Sequence, residues 1–432
     1  MAETWRNWAG NQRARPRRIL VPRSAEEVAR AVVAAAGDGL RVRVAGSGHS
    51  FTGAAVTDGV LLRSEGLSRV RSLDAARGLV TVEAGCRLDT LNAYLAGHGL
   101  ALANLGDITA QTAAGAIQTA THGTGRTVGG LASQVHALEL VLADGSAAVC
   151  SAEREPDLFH AARVGLGALG VVTAVTFRVV PAFLLRAVER AMPLDEVLDR
   201  LDELHGGNDH FEFFWFPHTG AALTKRNNRV EGPAAPLRPL RAWFDDEFLG
   251  NSVYDLMNRL GRRVPAATPL LNRCAAGALG ARDYTDASAR VFTTPRRFRF
   301  VEMEYAIPRA QAAGALRAVR ALVERGPYRT TMPLEVRFTP ADDAWLATSH
   351  GRDTAYVAAH VYRGAPYRGY FGALEEVFTG LGGRPHWGKL HTLDAGRLRT
   401  VYPRFDDFVG LRDRLDPGRR FGNAYLERVL GS

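Results

Sequence analysis

Residues 46–51 read GSGHSF and directly follow RVRVA at 41–45, a run with the pattern of a buried strand that ends in a tight turn. Gly46 and Gly48 permit positive φ and carry no side chain to hold a phosphate away, so backbone N–H groups can close on phosphate oxygens. His49 stands inside that turn, between Gly48 and Ser50. A glycine-flanked histidine after a strand is also met in ordinary loops. The meaning of the turn therefore depends on its company along the chain.

Upstream, a short strand at 19–21 is stopped by Pro22, and Ser24 with Glu27 forms a capping box ahead of VARAVVAAA. Downstream, strands are expected at 60–63 and 79–83, and a helix at 88–96 aligns Leu88, Leu91, Tyr94 and Leu95 on one face. From Asn104 the chain reads NLGDITAQTAAGAIQTATHGTG, nearly all small or hydroxyl-bearing residues. A helix over 112–120 would let a flat or phosphorylated ligand approach at Gly115 and Ala116, although small residues equally allow close helix packing. Thr121, His122, Gly123, Thr124 and Gly125 then repeat the theme of a histidine in a glycine-rich turn. Two such loops point to one shared ligand with phosphates, and His49 is read as the attachment point of a flavin.

The segment HALELVLADGSAAVCS predicts a hairpin turning at Asp144 and Gly145, followed by a helix over 156–166 and a β-branched strand over 170–180. Gly165, Gly167 and Gly170 spell GxGxxG. A dinucleotide fingerprint follows a strand and opens a helix, whereas this one is expected between a helix and a strand, so it is not read as such.

A chain of 432 residues is too long for one ordinary core. Its net charge of +9 comes from basic residues that are nearly all arginine and scattered. The densest cluster, Arg13, Arg15, Arg17 and Arg18, is short and without interleaved aromatics, so nucleic acid is not an expected partner. Cys86, Cys150 and Cys274 form no CxxC and are odd in number, which fits a reducing compartment. No signal-peptide core follows the N-terminal arginines, and no run approaches a membrane span of about 18 apolar residues. The expected location is the cytoplasm.

After Pro181 the texture changes to aromatic-rich strands, HFEFFWFP at 210–217 and FRFVEMEYAIP at 298–308, alternating with amphipathic helices near 195–204, 309–324 and 369–379. Gly232, Pro233, Pro236 and Pro239 mark a loop over 231–243. Within LEVRF, Glu335 and Arg337 are two apart on a strand and share a face, where they would position a polyhydroxylated ligand or form a surface ion pair. His360, flanked by apolar residues in TAYVAAHVYR, reads by itself as a satisfied core histidine. In GGRPHWGKLH, Trp387 and Lys389 place an aromatic plane and a cation near a domain boundary, and a cation fits beside the edge of a flavin that gains charge on reduction. A last helix is expected within 411–423.

GSGHSF, NLGDITAQTAAGAIQTATHGTG, LEVRF and RPHWGKLH occur in the order and spacing of one family. Over nearly its whole length the chain resembles the aldonolactone oxidoreductases of the vanillyl-alcohol oxidase flavoprotein superfamily, the L-gulonolactone and D-arabinonolactone oxidases, with alditol oxidases as near cousins. It is similar in particular to the actinobacterial L-gulono-1,4-lactone dehydrogenase type. The resemblance implies an α+β, two-domain FAD-binding fold with an α+β substrate domain on an antiparallel sheet: 1–182 for FAD, 183–380 for substrate, and 381–432 returning to the FAD domain.

By the same resemblance His49 matches the histidine joined covalently to the flavin. Gly46, Ser47, Gly48, Ser50, Gly106, Thr112, Gly115, Ala116, Thr121, His122, Gly123, Val172 and His386 would surround FAD. Glu335, Arg337, His360 and Lys389 match substrate-binding and flavin-edge positions, and no metal is implied. Tyr362 replaces the smaller hydroxyl residue of the alditol enzymes, which favours a lactone over an open-chain alditol. The implied reaction is oxidation of a secondary alcohol, with hydride passing to the flavin and the proton to Glu335 or His360. An alditol or sugar oxidase, or a flavin oxidase of specialised metabolism, is the alternative. Gly106 leaves a path for dioxygen, while the dehydrogenase likeness points to another acceptor.

Overall fold

A computed structural model describes residues 4–294 and 296–432. Ser24 caps the helix Ala25–Gly37, its hydroxyl accepting from the Glu27 N–H, while Glu27 accepts from the Arg23 N–H at 2.7 Å. That helix buries Val28, Val32 and Ala35 and joins Arg18–Leu20 to Val42–Ala45, both parallel to Val60–Arg63 in a three-stranded sheet. Beside it, Val70–Asp74, Leu79–Glu83, Val135–Val141, Ala147–Ser151 and Val171–Arg178 form a five-stranded antiparallel sheet. The glycine-rich helix is shorter than expected, Ala113–Gln118, and lies on the strand Val171–Arg178.

The second sheet unit has eight antiparallel strands, in the order Arg282–Ala287, Leu184–Pro193, Ala221–Val230, His210–Trp215, Leu334–Thr339, Thr354–Tyr362, Phe300–Pro308 and Arg384–Pro385. One face, with Val336, Phe338, Tyr305 and Phe211, is covered by helices that include Leu201–Gly206 and Arg368–Gly380. Phe338 meets His205 at 5.1 Å and Tyr305 stacks on Phe378 at 5.6 Å. The opposite face carries Glu212, Glu302, Glu304, Glu335, Arg337 and His360, because side chains alternate along a strand.

The segment after Pro385 ties this charged face to GSGHSF. His386 and Leu390 donate their N–H groups to Glu304 O and Glu302 O at 2.9 and 2.8 Å, and Gly388 O accepts from the Phe51 N–H at 2.7 Å. Buried Arg43, on the strand that leads into GSGHSF, donates to Leu166 O, Gly167 O and Phe421 O, holding the tail and the 165–170 turn together.

Several expected elements need correction. The helix expected at 195–204 is divided at Arg200 into Leu194–Asp199 and Leu201–Gly206, and the one within 411–423 is Phe405–Leu415. The loop expected over 231–243 ends at Arg238. From Pro239 to Gly277 the chain is largely helical, as Pro239–Ala242, a π-helical Trp243–Val253, Tyr254–Arg263 and Thr268–Gly277.

Candidate active site

Two cavities meet at His49. The smaller, about 120 Å³, is bordered by Gly46, Ser47, Gly48, Thr112, Gly115 and Val172. The larger, about 480 Å³, lies over the charged face of the eight-stranded sheet. His49, Ser50, Gln111 and Thr119 line both.

The turn itself explains why glycine is required there. Gly48 has φ +71, and a Cβ on Gly46 would lie 2.4 Å from the Thr112 hydroxyl that caps Ala113–Gln118. Trp8 stacks on the His49 ring at 5.5 Å, and the buried His49 Nδ1 has no hydrogen-bond partner. Burial, with Arg87 and Lys389 nearby, pushes this imidazole down to about 4, so it is neutral at neutral pH. A glycine cradle beside an unsatisfied, neutral imidazole fits the phosphates and ring of a flavin dinucleotide.

A chain of seven charges of alternating sign runs along the charged face beside the larger cavity, and all of them but Glu212 line it. Lys225 Nζ lies 2.8 Å from Glu212, which also accepts from Arg337 Nε at 2.9 Å. Arg337 Nη2 contacts Glu335, whose other oxygen is 3.8 Å from His360 Nε2. His360 Nε2 lies 3.5 Å from Glu302, directly opposite it across the strands, and Glu302 contacts Lys389 Nζ. All seven side chains are buried or nearly so.

Their protonation follows from this pairing. Burial alone would raise the glutamates, but Lys225 and Arg337 bring Glu212 down to about 2, and Lys389 and His360 do the same for Glu302. Burial works against charged His360, yet Glu302 holds its pKa above the ordinary value. Glu335 differs. Burial raises it, Arg337 offsets that only in part, and it stays above the usual carboxylate range.

Beside this chain, His122 Nε2 lies 3.3 Å from Glu304, and the His122 ring stacks on Tyr356 at 3.5 Å. His386 Nδ1 accepts from the Gly388 N–H at 3.0 Å, and burial pushes its imidazole down to about 3. The sequence reading named no metal ligands, yet His122, Glu304 and His386 bring ligand atoms within 4.8 Å of one another.

Residues 175–429 match the family described as D-arabinono-1,4-lactone oxidase, and residues 16–151 match the FAD binding domain. The chain belongs to the D-arabinono-1,4-lactone oxidase family. It is 44% identical over 431 residues to an L-gulono-1,4-lactone dehydrogenase of Mycobacterium tuberculosis, covering 100% of both chains. It is 36% identical to L-gulonolactone oxidase of Bos taurus, covering 99% of this chain and 98% of that one. An alditol oxidase of Streptomyces sp. is 33% identical, covering 98% of each. Cholesterol oxidase from Brevibacterium sterolicum shares the fold, with a TM-score of 0.83 at 18% identity, covering 99% of this chain and 96% of that one. The expected family and α+β FAD-binding fold are thus borne out, and the protein is an FAD-dependent oxidoreductase.

Placed against this site, most of the expected residues fall together. Gly106, Thr121, His122, Glu335, Arg337, His360, His386 and Lys389 all line the larger cavity. Ala116 and Gly123 line neither cavity. Ala116 is fully buried in the core, and Gly123 is glycine because a Cβ would stand 2.0 Å from Leu105 O. Trp387 is also a core residue, donating Nε1–H to Leu346 O and stacking on Tyr402. Tyr362 lies outside the cavity lining, its hydroxyl donating to Asp255 at 2.7 Å. His360, read alone as a core histidine, faces the cavity.

The GxGxxG turn does lie between the helix Pro156–Ala162 and the strand Val171–Arg178, as expected, yet Gly167 and Gly170 border the smaller cavity. Glu212, Lys225, Glu302 and Glu304 were missed. Two signals could have found them. Glu302 and Glu304 alternate on a strand as Glu335 and Arg337 do, and Lys225 and Lys389 are the two lysines of a chain that otherwise uses arginine.

Proposed function

We propose that the enzyme oxidises a secondary alcohol carbon of an aldonolactone, of the L-gulono-1,4-lactone or D-arabinono-1,4-lactone type, with FAD attached covalently through His49. The observation that carries this reading is that Glu335, Arg337, His360 and Lys389 line one cavity together with His49. When bound, FAD supplies the hydride acceptor.

Arg337, fixed by Glu212, offers its guanidinium to substrate oxygens, a planar donor suited to a carbonyl or a pair of hydroxyls. Glu335, whose carboxyl burial holds above its usual range, takes the hydroxyl proton. His360, whose protonated form is favoured by Glu302 against the cost of burial, orients Glu335. Lys389 places positive charge in the cavity that His49 also lines, where it would offset the negative charge a bound flavin gains on reduction. His49, neutral and without a hydrogen-bond partner on Nδ1, has the nucleophilic form that a covalent bond needs. The relatives named as lactone enzymes support the substrate class. The proposed division of the chain, 1–182 with the cofactor, 183–380 with the substrate and 381–432 between them, follows the two sheet units and the stitching by residues 386–390.

Steady-state assays with L-gulono-1,4-lactone, D-arabinono-1,4-lactone and xylitol, using an artificial dye acceptor, test the substrate. Turnover of the lactones above xylitol is expected, and the reverse order would make the enzyme an alditol oxidase. Acid precipitation tests the linkage: yellow colour should stay with the polypeptide and leave with the supernatant for His49→Ala. Air reoxidation of the reduced enzyme no faster than free flavin assigns a dehydrogenase, and faster reoxidation an oxidase.

A further inference from the structure

The helical segment 239–277 is built inside out. Its fully buried positions are polar: Asn258, Thr268 and Asn272 are each 0% exposed. Asn272 donates to Pro217 O and Thr330 O at 2.8 and 3.0 Å, and Thr331 donates to Asn258, so hydrogen bonds fasten the segment to the rest of the molecule. Much of the segment's carbon faces water instead. Trp243, Phe244 and Phe248 are 55%, 46% and 42% exposed and stack on one another, at 6.2 Å for Trp243 with Phe248 and 5.3 Å for Phe244 with Phe248. On the next helix Leu256 and Leu260 lie one turn apart and are exposed, Val264 just past its end is 47% exposed, and Leu270 on the last is 62% exposed.

Charge is sorted in the same way. The acidic side chains of the segment are partly buried and paired: Asp245 and Asp246 with Arg282, Glu247 with Arg297, and Asp255 with Arg259, the last also accepting from the Tyr362 hydroxyl. Arg262, Arg263 and Arg273 are exposed and, among the described residues, have no ion pair. Arg263 lies one helical turn from Arg259 and flanks the Leu256–Leu260 stripe. An exposed aromatic and leucine face bordered by uncompensated arginines is the pattern of an interfacial helix on anionic lipid. No helix of the described residues is long and apolar enough to cross a membrane, so the contact is a surface one.

We propose that segment 239–277 docks this enzyme on an anionic phospholipid surface, with Trp243, Phe244, Phe248 and the leucines in the acyl boundary and Arg262, Arg263 and Arg273 at the phosphates. The inner side of the same helices, with Leu249, Val253 and Met257, lines the larger cavity. Docking would therefore bring the active site beside the bilayer.

The test is sedimentation of the full-length, flavin-loaded enzyme with vesicles of phosphatidylcholine alone or mixed with phosphatidylglycerol. Binding is expected with the anionic vesicles, weakening in high salt because exposed charges are screened. Arg262→Glu/Arg263→Glu should lower that binding at least about tenfold, and Trp243→Ser/Phe244→Ser/Phe248→Ser should abolish it. Both variants should keep wild-type lactone turnover, since none of these side chains lines the cavity. Failure of the wild type to bind anionic vesicles at low salt would overturn the proposal. So would unchanged binding by both variants. A wild-type dimer that the aromatic triple variant converts to monomer, without vesicle binding, would assign the face to a second copy of the chain and also overturn it.

Discussion

On the strand Leu334–Thr339, Leu334, Val336 and Phe338 point to the helices and are 0% exposed, while Glu335 and Arg337 alternate with them and point into the cavity. One face of the sheet is carbon and the other is charge, on the same backbone. Burying apolar side chains is favourable in itself, at about 25 cal/mol per Å². Burying ionised groups is costly unless each has a partner. The cavity face meets that condition by alternating sign from Lys225 through Glu212, Arg337, Glu335, His360 and Glu302 to Lys389. The two faces should therefore fail in different ways, the helix-covered one in stability and the cavity one in rate.

The sharpest contrast comes from neighbours on that strand. Phe338→Ala should destabilise the fold by about 3–5 kcal/mol, read by chemical denaturation, while the rate of lactone-driven flavin reduction in the remaining folded enzyme stays within about twofold of wild type. Glu335→Gln is nearly isosteric and should do the opposite. Reduction should slow by about 10²–10³-fold, the scale of a lost general base, with the denaturation midpoint little changed.

The pH dependence divides the same way. Glu335 must be ionised to accept a proton, and its pKa lies above the carboxylate range. The wild-type rate should therefore fall on the acid side at a pH above about 4.3, and this limb should vanish in Glu335→Gln. Glu212 and Glu302 are held near 2 in the folded state. Their contribution to stability is present above the unfolded carboxylate value and is lost as pH falls from about 4.3 toward 2. A midpoint that stayed flat over that window would show that the charge chain is not formed.

The smallest effect tests whether the chain acts as a unit. Glu212 touches Arg337 and Lys225 and is absent from the cavity lining, so Glu212→Gln should raise KM for the lactone by about tenfold, equal to about 1.4 kcal/mol, with kcat much less affected. A loss confined to thermal stability would reduce Glu212 to a structural residue.

What could be read from the sequence was local. GSGHSF declared itself because tight turns need glycine, and LEVRF because strand alternation puts Glu335 and Arg337 on one face. Glu302 and Lys225 were hidden, since their meaning arises only when distant strands pair: Glu302 stands opposite His360, and Glu212 opposite Lys225. Trp387 misled because a buried tryptophan and a ligand-stacking one look alike in a glycine-rich segment. The helices of 239–277 were missed for a different physical reason. Helix reading assumes an apolar buried face, and there the fully buried positions are Asn258, Thr268 and Asn272.

In the proposed reaction His49 and the charged sheet face serve one flavin and one lactone. Anaerobic mixing of the purified yellow enzyme with L-gulono-1,4-lactone or D-arabinono-1,4-lactone tests it most directly. Rapid bleaching of the flavin absorbance is expected in wild type, slowed by orders of magnitude in Arg337→Ala. A flavin that no aldonolactone bleaches, or that bleaches equally fast in Arg337→Ala, would contradict it.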